Sequence, residues 1–419
     1  MKIATVFLSL AMVLLLRMSC RADGTNLPAD TRTVVSNAEQ MKVLRTEAEH
    51  AYRVYIDAFA ERKTDEEIEK LWKVYVVIDR TNLAKIFELA RQKPASEPAF
   101  ETFAWIVTNQ LTQGGALNSD DLQTMEFLRD YHATNPGIAK ICWTLGRNWD
   151  PTCEPAMDFL QIAASKNPSR EVRGQATLAL ARLKKNYSED LIEWENLSRT
   201  VPGHTNNSIL AHLEIAKAEN SGELSREAEK LYSIVLSQYA DCPTLLGTNQ
   251  PQVPLTLGEA AKTQLYELNH LTVGKVAPGI KGEDLDGKKF KLSDYRGKVV
   301  VLNFWASWCG PCMGMVPCEV RLAERMKGKP FALVGVNGDS IRDNAKRAVE
   351  KEKITWRSFW SKEGPEGPIP TTWNIPGWPT VFILDPNGVI RFRFSGYGPI
   401  TESLLNQQVD QVLEQFNKS

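Results

Sequence analysis

The chain has 419 residues, 43% of them hydrophobic and 24% charged, with a formal net charge of -1. That length suggests two or three domains with sizeable cores, and the composition is that of an ordinary globular protein. The near-neutral balance gives no basic surface for nucleic acid or for an anionic membrane.

In chain order, Lys2 and the apolar run Ile3 to Leu16, broken by Arg17, have the layout of a secretory signal. The run is short for a bilayer span and suits a signal core. Cys20-Arg21-Ala22 is a weak cleavage site, so residues 1–23 are expected to be a signal peptide, with an uncleaved anchor as the other reading.

Residues 24–271 are expected to form an all-α domain. Ala228, Leu231, Tyr232, Val235, Leu236 and Tyr239 make one apolar stripe at helical spacing. Val172, Ala176, Ala179 and Leu183 make another, with Ser169 as a candidate N-cap behind Pro168. A repeat is also legible: Phe127-Leu128 followed by Asn135-Pro136 recurs 32 residues on as Phe159-Leu160 and Asn167-Pro168. Ile86-Phe87 with Lys93-Pro94 is a looser copy. A period in the low thirties filled by two helices has the length of a tetratricopeptide-like unit, and such arrays offer a concave face to a partner. The tetratricopeptide consensus is not met, so an irregular helical bundle stands beside the repeat reading. One more helix, about Leu257 to Leu271, leads to a boundary near Thr272 to Pro278.

From Val276 the periodicity changes. Glu283 to Phe290 is a hairpin turned at Asp286-Gly287. Val299 to Trp305 is continuously apolar apart from Asn303, as in a central strand buried on both faces. A helix from about Pro311 to Lys327, a strand Phe331 to Val336 and a helix Arg342 to Lys353 follow. Thr380 to Leu384, the turn Asp385-Pro386-Asn387-Gly388 and Val389 to Phe394 form an antiparallel hairpin, closed by a helix from about Thr401 to Phe416. The order βαβα then ββα predicts an α/β domain over 272–419, a mixed sheet flanked by helices.

The chemistry lies in Trp308-Cys309-Gly310-Pro311-Cys312. Two thiols three positions apart, where a buried strand gives way to a helix, put the first sulfur over unpaired N–H groups and the positive helix end. The thiolate is the attacking form, and the second thiol, one turn on, completes an exchange. Zinc would need further ligands, but the stretch after Thr272 has no histidine and one other thiol, Cys318, half a turn out of phase with Cys309. No metal and no cofactor is expected. Cys318 is expected to be a buried small residue, and Cys142 and Cys153 either pair or are buried singly.

Residues 276–419 resemble the thioredoxin superfamily, and within it the TlpA/ResA group of exported thiol-disulfide oxidoreductases. The resemblance rests on Gly287-Lys288, Leu292 to Lys298, Phe304 to Cys312, Pro317, Gly377-Trp378-Pro379-Thr380 and Asp385 to Gly388. It implies that Cys309 is the nucleophile and Cys312 the resolving thiol. It also implies that Pro379 is a cis-proline beside them, that Pro317 bends the active-site helix, and that Trp308, Gly310, Pro311, Trp378, Pro379 and Thr380 line a substrate groove. Expected partners are protein disulfides, a membrane or exported electron donor, and a protein bound by the helices; the expected location is periplasmic or otherwise extracytoplasmic. Two positions depart from the family: Asn303 where many thioredoxins have aspartate, and Met315 where many of the group have glutamate. Either carboxylate would accept the proton of the resolving thiol. Glu363 and Glu366 are the substitutes that sequence suggests.

The Gly-Pro pair between the cysteines is the one thioredoxins carry, which favours disulfide reduction. Two other readings remain. The chain could be a helical partner-binding protein with a redox-sensing or structural thioredoxin module. A peroxiredoxin-type peroxidase is disfavoured, because Ala306 stands where that family has an activating threonine.

Overall fold

The computed structural model describes residues 36–61, 63–110, 119–148, 154–200, 220–244, 256–398 and 401–417. The expected signal peptide and Cys153 lie outside them; Cys142 is buried. Among the described residues no helix is long and apolar enough to cross a membrane. By compactness the chain divides at Ala90/Arg91.

The first unit is a helical hairpin, α1 (Asn37–Ala60) and α2 (Asp65–Ala90). A capping box opens α2: the Glu67 N–H donates to Thr64 Oγ1, and the Thr64 N–H donates to Glu67 Oε2. Tyr52, Tyr55, Trp72 and Tyr75 pack ring on ring between the two helices.

The second unit begins with helices α3 (Glu97–Trp105), α4 (Ser119–Phe127), α5 (Ala139–Asn148), α6 (Glu154–Lys166), α7 (Arg170–Thr200), α8 (Ser221–Gln238) and α9 (Leu257–His270). Short polar residues start four of them, satisfying orphan N–H groups at the helix ends. Ser96 caps α3, Ser169 Oγ accepts from the Val172 N–H, Asn220 caps α8, and Thr256 with Glu259 forms a capping box on α9. The stripe from Ala228 to Tyr239 packs on Leu178 and Ala181 of α7 and on Leu257, Ala260 and Leu268 of α9. The turns between helices are stitched together. Asn135 and Asn167 each accept from the backbone N–H two residues on, and Asn167 Nδ2 donates to Ala133 O and Asn135 O. Arg170 reaches Gln238 O and Asp241 in the same way.

Two short strands, β1 (Lys281–Glu283) and β2 (Lys289–Lys291), pair antiparallel around the Asp286-Gly287 turn, where Gly287 has φ +81°. The main sheet contains β3 (Val299–Trp305), β4 (Phe331–Asn337), β5 (Ser358–Trp360), β6 (Thr380–Leu384) and β7 (Ile390–Ser395), in the order β5-β4-β3-β6-β7. β3 runs parallel to β4 and antiparallel to β6; β4/β5 is parallel and β6/β7 antiparallel. The helices are α10 (Gly310–Arg325), α11 (Arg342–Glu352), the short α12 (Pro368–Thr372) and α13 (Thr401–Asn417). β5 and α12 were not anticipated. A three-residue edge strand is too short to carry a periodic signal, and it exists because Gly335 leaves room: a Cβ there would lie 2.2 Å from Ser358 Oγ.

Every residue of β3 is buried, because both faces of the sheet are covered. Val300, Leu302 and Phe304 pack with Val334, Val336, Phe382 and Trp373. On the other face Val299 and Val301 meet Met315 and Leu322 of α10 and Val409 and Val412 of α13. The helical part is joined to the sheet by a buried ion cluster: Glu267 of α9 accepts from Arg393 of β7 and from Asn374, and lies 3.5 Å from Lys185 of α7.

Candidate active site

Strand β3 ends at Trp305, and the chain turns through Ala306-Ser307-Trp308 before α10 begins. The turn is braced by Asp339, just beyond β4. The Ser307 N–H and Oγ–H donate to its two carboxylate oxygens at 2.9 and 2.6 Å, and Asn337 Nδ2 donates to one of them at 2.7 Å. Trp360 Nε1 of β5 donates to Asp339 O. Asp339 is buried and fully engaged, so it fixes where the first cysteine sits. Sequence reasoning missed it, since nothing marks an aspartate after a strand as a brace for a loop 32 residues earlier.

Cys309 is the N-cap of α10, with Pro311 in the first turn. Its Sγ accepts the Cys312 N–H at 3.1 Å and is bonded to Cys312 Sγ, so the pair is in the disulfide state. Cys309 is 5% exposed and Cys312 is fully buried. Only the first sulfur is therefore within reach of a protein substrate. Gly310 and Pro311 beside it are exposed, and Trp308 is 57% exposed.

Trp378 packs against the cluster that holds both cysteines, 6.0 Å ring to ring from Trp308. Room for it comes from Gly338, where a Cβ would lie 2.6 Å from the Trp378 ring. The Trp378–Pro379 peptide is cis and Pro379 is buried. Trp308, Gly310 and Pro311 thus adjoin the cysteines in the chain, Trp378 packs against their cluster, and Pro379 follows it as a buried cis residue. Thr380 is set apart: its hydroxyl is buried, donating to Gly377 O and lying 2.9 Å from Ser395 Oγ, and its backbone sits in β6 between Phe304 of β3 and Ser395 of β7. Pro317 lies inside α10. Cys318 is buried, its Sγ donates to Met315 O, and burial pushes its thiol up to about 12, which leaves it inert.

The proton acceptors suggested by sequence do not suit the task. Glu363 and Glu366 are on a solvent-exposed turn, and Glu363 pairs with Lys362. The buried acid is one that sequence reasoning passed over. Glu319 of α10 is fully buried, and one of its oxygens accepts from Asn303 Nδ2 at 2.7 Å. Its other oxygen and Asn303 Oδ1 have no partner in the structure. Burial, offset in part by the Asn303 donor, pushes Glu319 up to about 8. A clue was available: Glu319 is seven residues after Cys312, on the same face of the helix as Cys312, Met315 and Val316.

A family model described as Redoxin matches residues 272–412. The chain is 33% identical over 140 residues to the thioredoxin-like protein YneN of Bacillus subtilis, a match covering 33% of this chain and 78% of that protein. It is 28% identical over 148 residues to the thiol-disulfide oxidoreductase ResA of Bacillus thuringiensis subsp. konkukian, covering 35% and 78%. A crystallised thiol:disulfide interchange protein DsbE from Chlorobium tepidum is 33% identical, covers 34% of this chain and 97% of its own, and has a TM-score of 0.32. With 33% identity over 78% of YneN, 30% identity over 73% of the ResA of Geobacillus kaustophilus, and a bonded Cys-Gly-Pro-Cys at a helix start, the chain belongs to the thioredoxin superfamily, among its ResA-like thiol-disulfide oxidoreductases.

Proposed function

We propose that this protein is an exported reductase of protein disulfides that works through Cys309 and Cys312. The observation that carries the reading is the position of Cys309 at the start of α10, its sulfur accepting a backbone N–H. The same donor and the helix dipole stabilise a thiolate once the disulfide is reduced. That thiolate attacks one sulfur of a substrate disulfide, forming a mixed disulfide and releasing the first substrate thiolate. Cys312 then gives up its proton and attacks Cys309 Sγ. The bond to the substrate breaks, the second substrate thiolate leaves, and the Cys309–Cys312 bond forms. Two electrons have passed from the dithiol to the substrate.

The Gly-Pro pair between the cysteines supports reduction as the direction. Export is supported by the apolar run near the N-terminus, and it implies a membrane or exported dithiol as the source of electrons. The exposed Trp308, half-buried Trp378 and buried Pro379 around a nearly buried sulfur favour an extended peptide as substrate. Residues 24–271 are assigned to partner recruitment, as an array of helical hairpins. That assignment draws support from the stitched turns, since two asparagines 32 residues apart make the same local bond and one of them spans to the other's loop.

Insulin reduction by the full chain with a dithiol reductant tests the reading. Cys309→Ser is expected to abolish turnover, and Cys312→Ser to accumulate a mixed disulfide. Full turnover by Cys309→Ser ends the mechanism. A wild-type chain that forms no mixed disulfide favours the alternative, a partner-binding protein with a sensing module.

A further inference from the structure

The proposed exchange leaves one proton unassigned, that of Cys312. The two positions at which the thioredoxin resemblance leads one to expect a carboxylate hold Asn303 and Met315 here. Cys312 is fully buried and cannot hand its proton straight to bulk water.

The odd-numbered residues of β3 face α10. Trp305 packs with Cys309, Cys312 and Val316, while Val301 packs with Met315 and Leu322. Asn303 lies between these two apolar groups, two residues or about 6–7 Å from Trp305. Directly across from it, α10 presents Glu319. On the helix, Cys312 and Glu319 are seven residues apart on one face, about 10 Å along the axis. Helical side chains lean toward the N-terminus, so the Glu319 carboxyl is carried back toward Cys312. A carboxyl with a free oxygen, linked through one water, spans such an interval.

We infer that Glu319, held in place by the Asn303 amide, is the proton acceptor for Cys312 during resolution of the mixed disulfide, an inference that rests on the reductase reading above.

In this step Glu319 in its ionised form, the minor form at neutral pH, takes the Cys312 proton, the Cys312 thiolate attacks Cys309 Sγ, and the departing substrate thiolate recovers a proton from Glu319 or water. No further oxidant or reductant is needed, since the dithiol supplies both electrons. The surroundings suit the role. The other titratable group beside the carboxyl is the inert Cys318 on its own helix. The acids that α13 brings to α10, Glu402 and Asp410, are taken up at the surface by Arg321 and Arg325. From β3 the group that reaches it is the neutral Asn303.

The test separates the two chemical steps in the full chain. Reduction of a single-disulfide peptide in stopped flow gives mixed-disulfide formation first and resolution second. In Glu319→Gln, resolution is expected to slow by about 100-fold at neutral pH, while the pH profile of Cys309 alkylation in a Cys312→Ser background stays unchanged. Asn303→Asp added to Glu319→Gln is expected to restore most of the rate, because it returns a carboxylate to the same interval. Resolution at the wild-type rate in Glu319→Gln, an equal loss in both steps, or no recovery in the double variant overturns the assignment. Loss of the first step in wild type instead defeats the reductase reading itself. Should Glu319→Gln fail to fold, carboxyl carbon NMR of the wild-type chain decides. The Glu319 titration must differ between disulfide and dithiol forms, and identical curves overturn the coupling.

Discussion

Burying Glu319 should make the redox domain less stable as pH rises, and the size of the effect can be worked out. The carboxyl moves from 4.5 to about 8 on folding, because burial disfavours its charge and the Asn303 donor compensates only in part. Below 4.5 the group is protonated in both folded and open chains. Between the two values opening releases a proton, so stability falls by about 1.4 kcal/mol for each pH unit. The stabilisation from burying the neutral acid is thus complete at low pH and lost as pH climbs through about 8. From about pH 5 to pH 8 the loss comes to about 3.5 kcal/mol, a few hundred-fold in the opening equilibrium. Glu319→Gln keeps an acceptor for Asn303 and removes the titration. Cys318 supplies the assay, being a buried thiol next door that reacts only when this core opens. Its alkylation is followed by mass spectrometry in the oxidised full chain, wild type against Glu319→Gln, across that pH range. The ratio of the two rates cancels the thiol's own pH dependence and should climb by a few hundred-fold. A ratio that stays flat would refute the claim that Glu319 is buried as a neutral acid.

Two further outcomes follow from the packing. Gly338→Val puts side-chain atoms where the Trp378 ring lies, since even a Cβ comes within 2.6 Å. KM for a peptide disulfide should rise by about tenfold, the loss of about 1.4 kcal/mol of binding, while alkylation of Cys309 by a small reagent is unchanged; an unaltered KM would remove Trp378 from the groove. Burial pushes Glu267 up, but Lys185, Arg393 and Asn374 together hold it below the usual carboxylate value. Its contribution is present above that usual value and lost as pH falls through the lowered one. Glu267→Gln should cost about 3 kcal/mol in thermal or denaturant unfolding at neutral pH, with the gap to wild type closing in acid; a pH-independent gap would mean that the carboxylate is not the group that matters.

Much of the redox domain was legible before any coordinates. Val299 to Trp305 is one apolar run because it is sandwiched between two covered faces, and that arrangement leaves no polar positions except Asn303. The Asp286-Gly287 and Asn387-Gly388 turns are written in residues that tolerate positive φ. The helices in 154–200 and 220–270 announce themselves by caps and stripes. β5 was not legible, because three residues on a sheet edge owe their strand to the neighbour they pair with, not to their own pattern. Nor was the extent of the second compact unit. Helices α7 and α9 share with β7 a buried charge cluster whose members, Lys185, Glu267 and Arg393, are far apart in sequence.

Sequence alone singled out the cysteine pair that the structure finds bonded. Thiolate chemistry needs two cysteines one helical turn apart at a helix start, and both the spacing and the strand before it are local properties of the chain. Only the tertiary structure decided which groups serve that pair. Asp339 bracing the loop, Gly338 making room for Trp378, and Glu319 facing Asn303 all depend on segments brought together by the sheet order. Burial, which turns an ordinary glutamate into an acid poised near a thiol, is a property of the packed core and has no signature in one dimension.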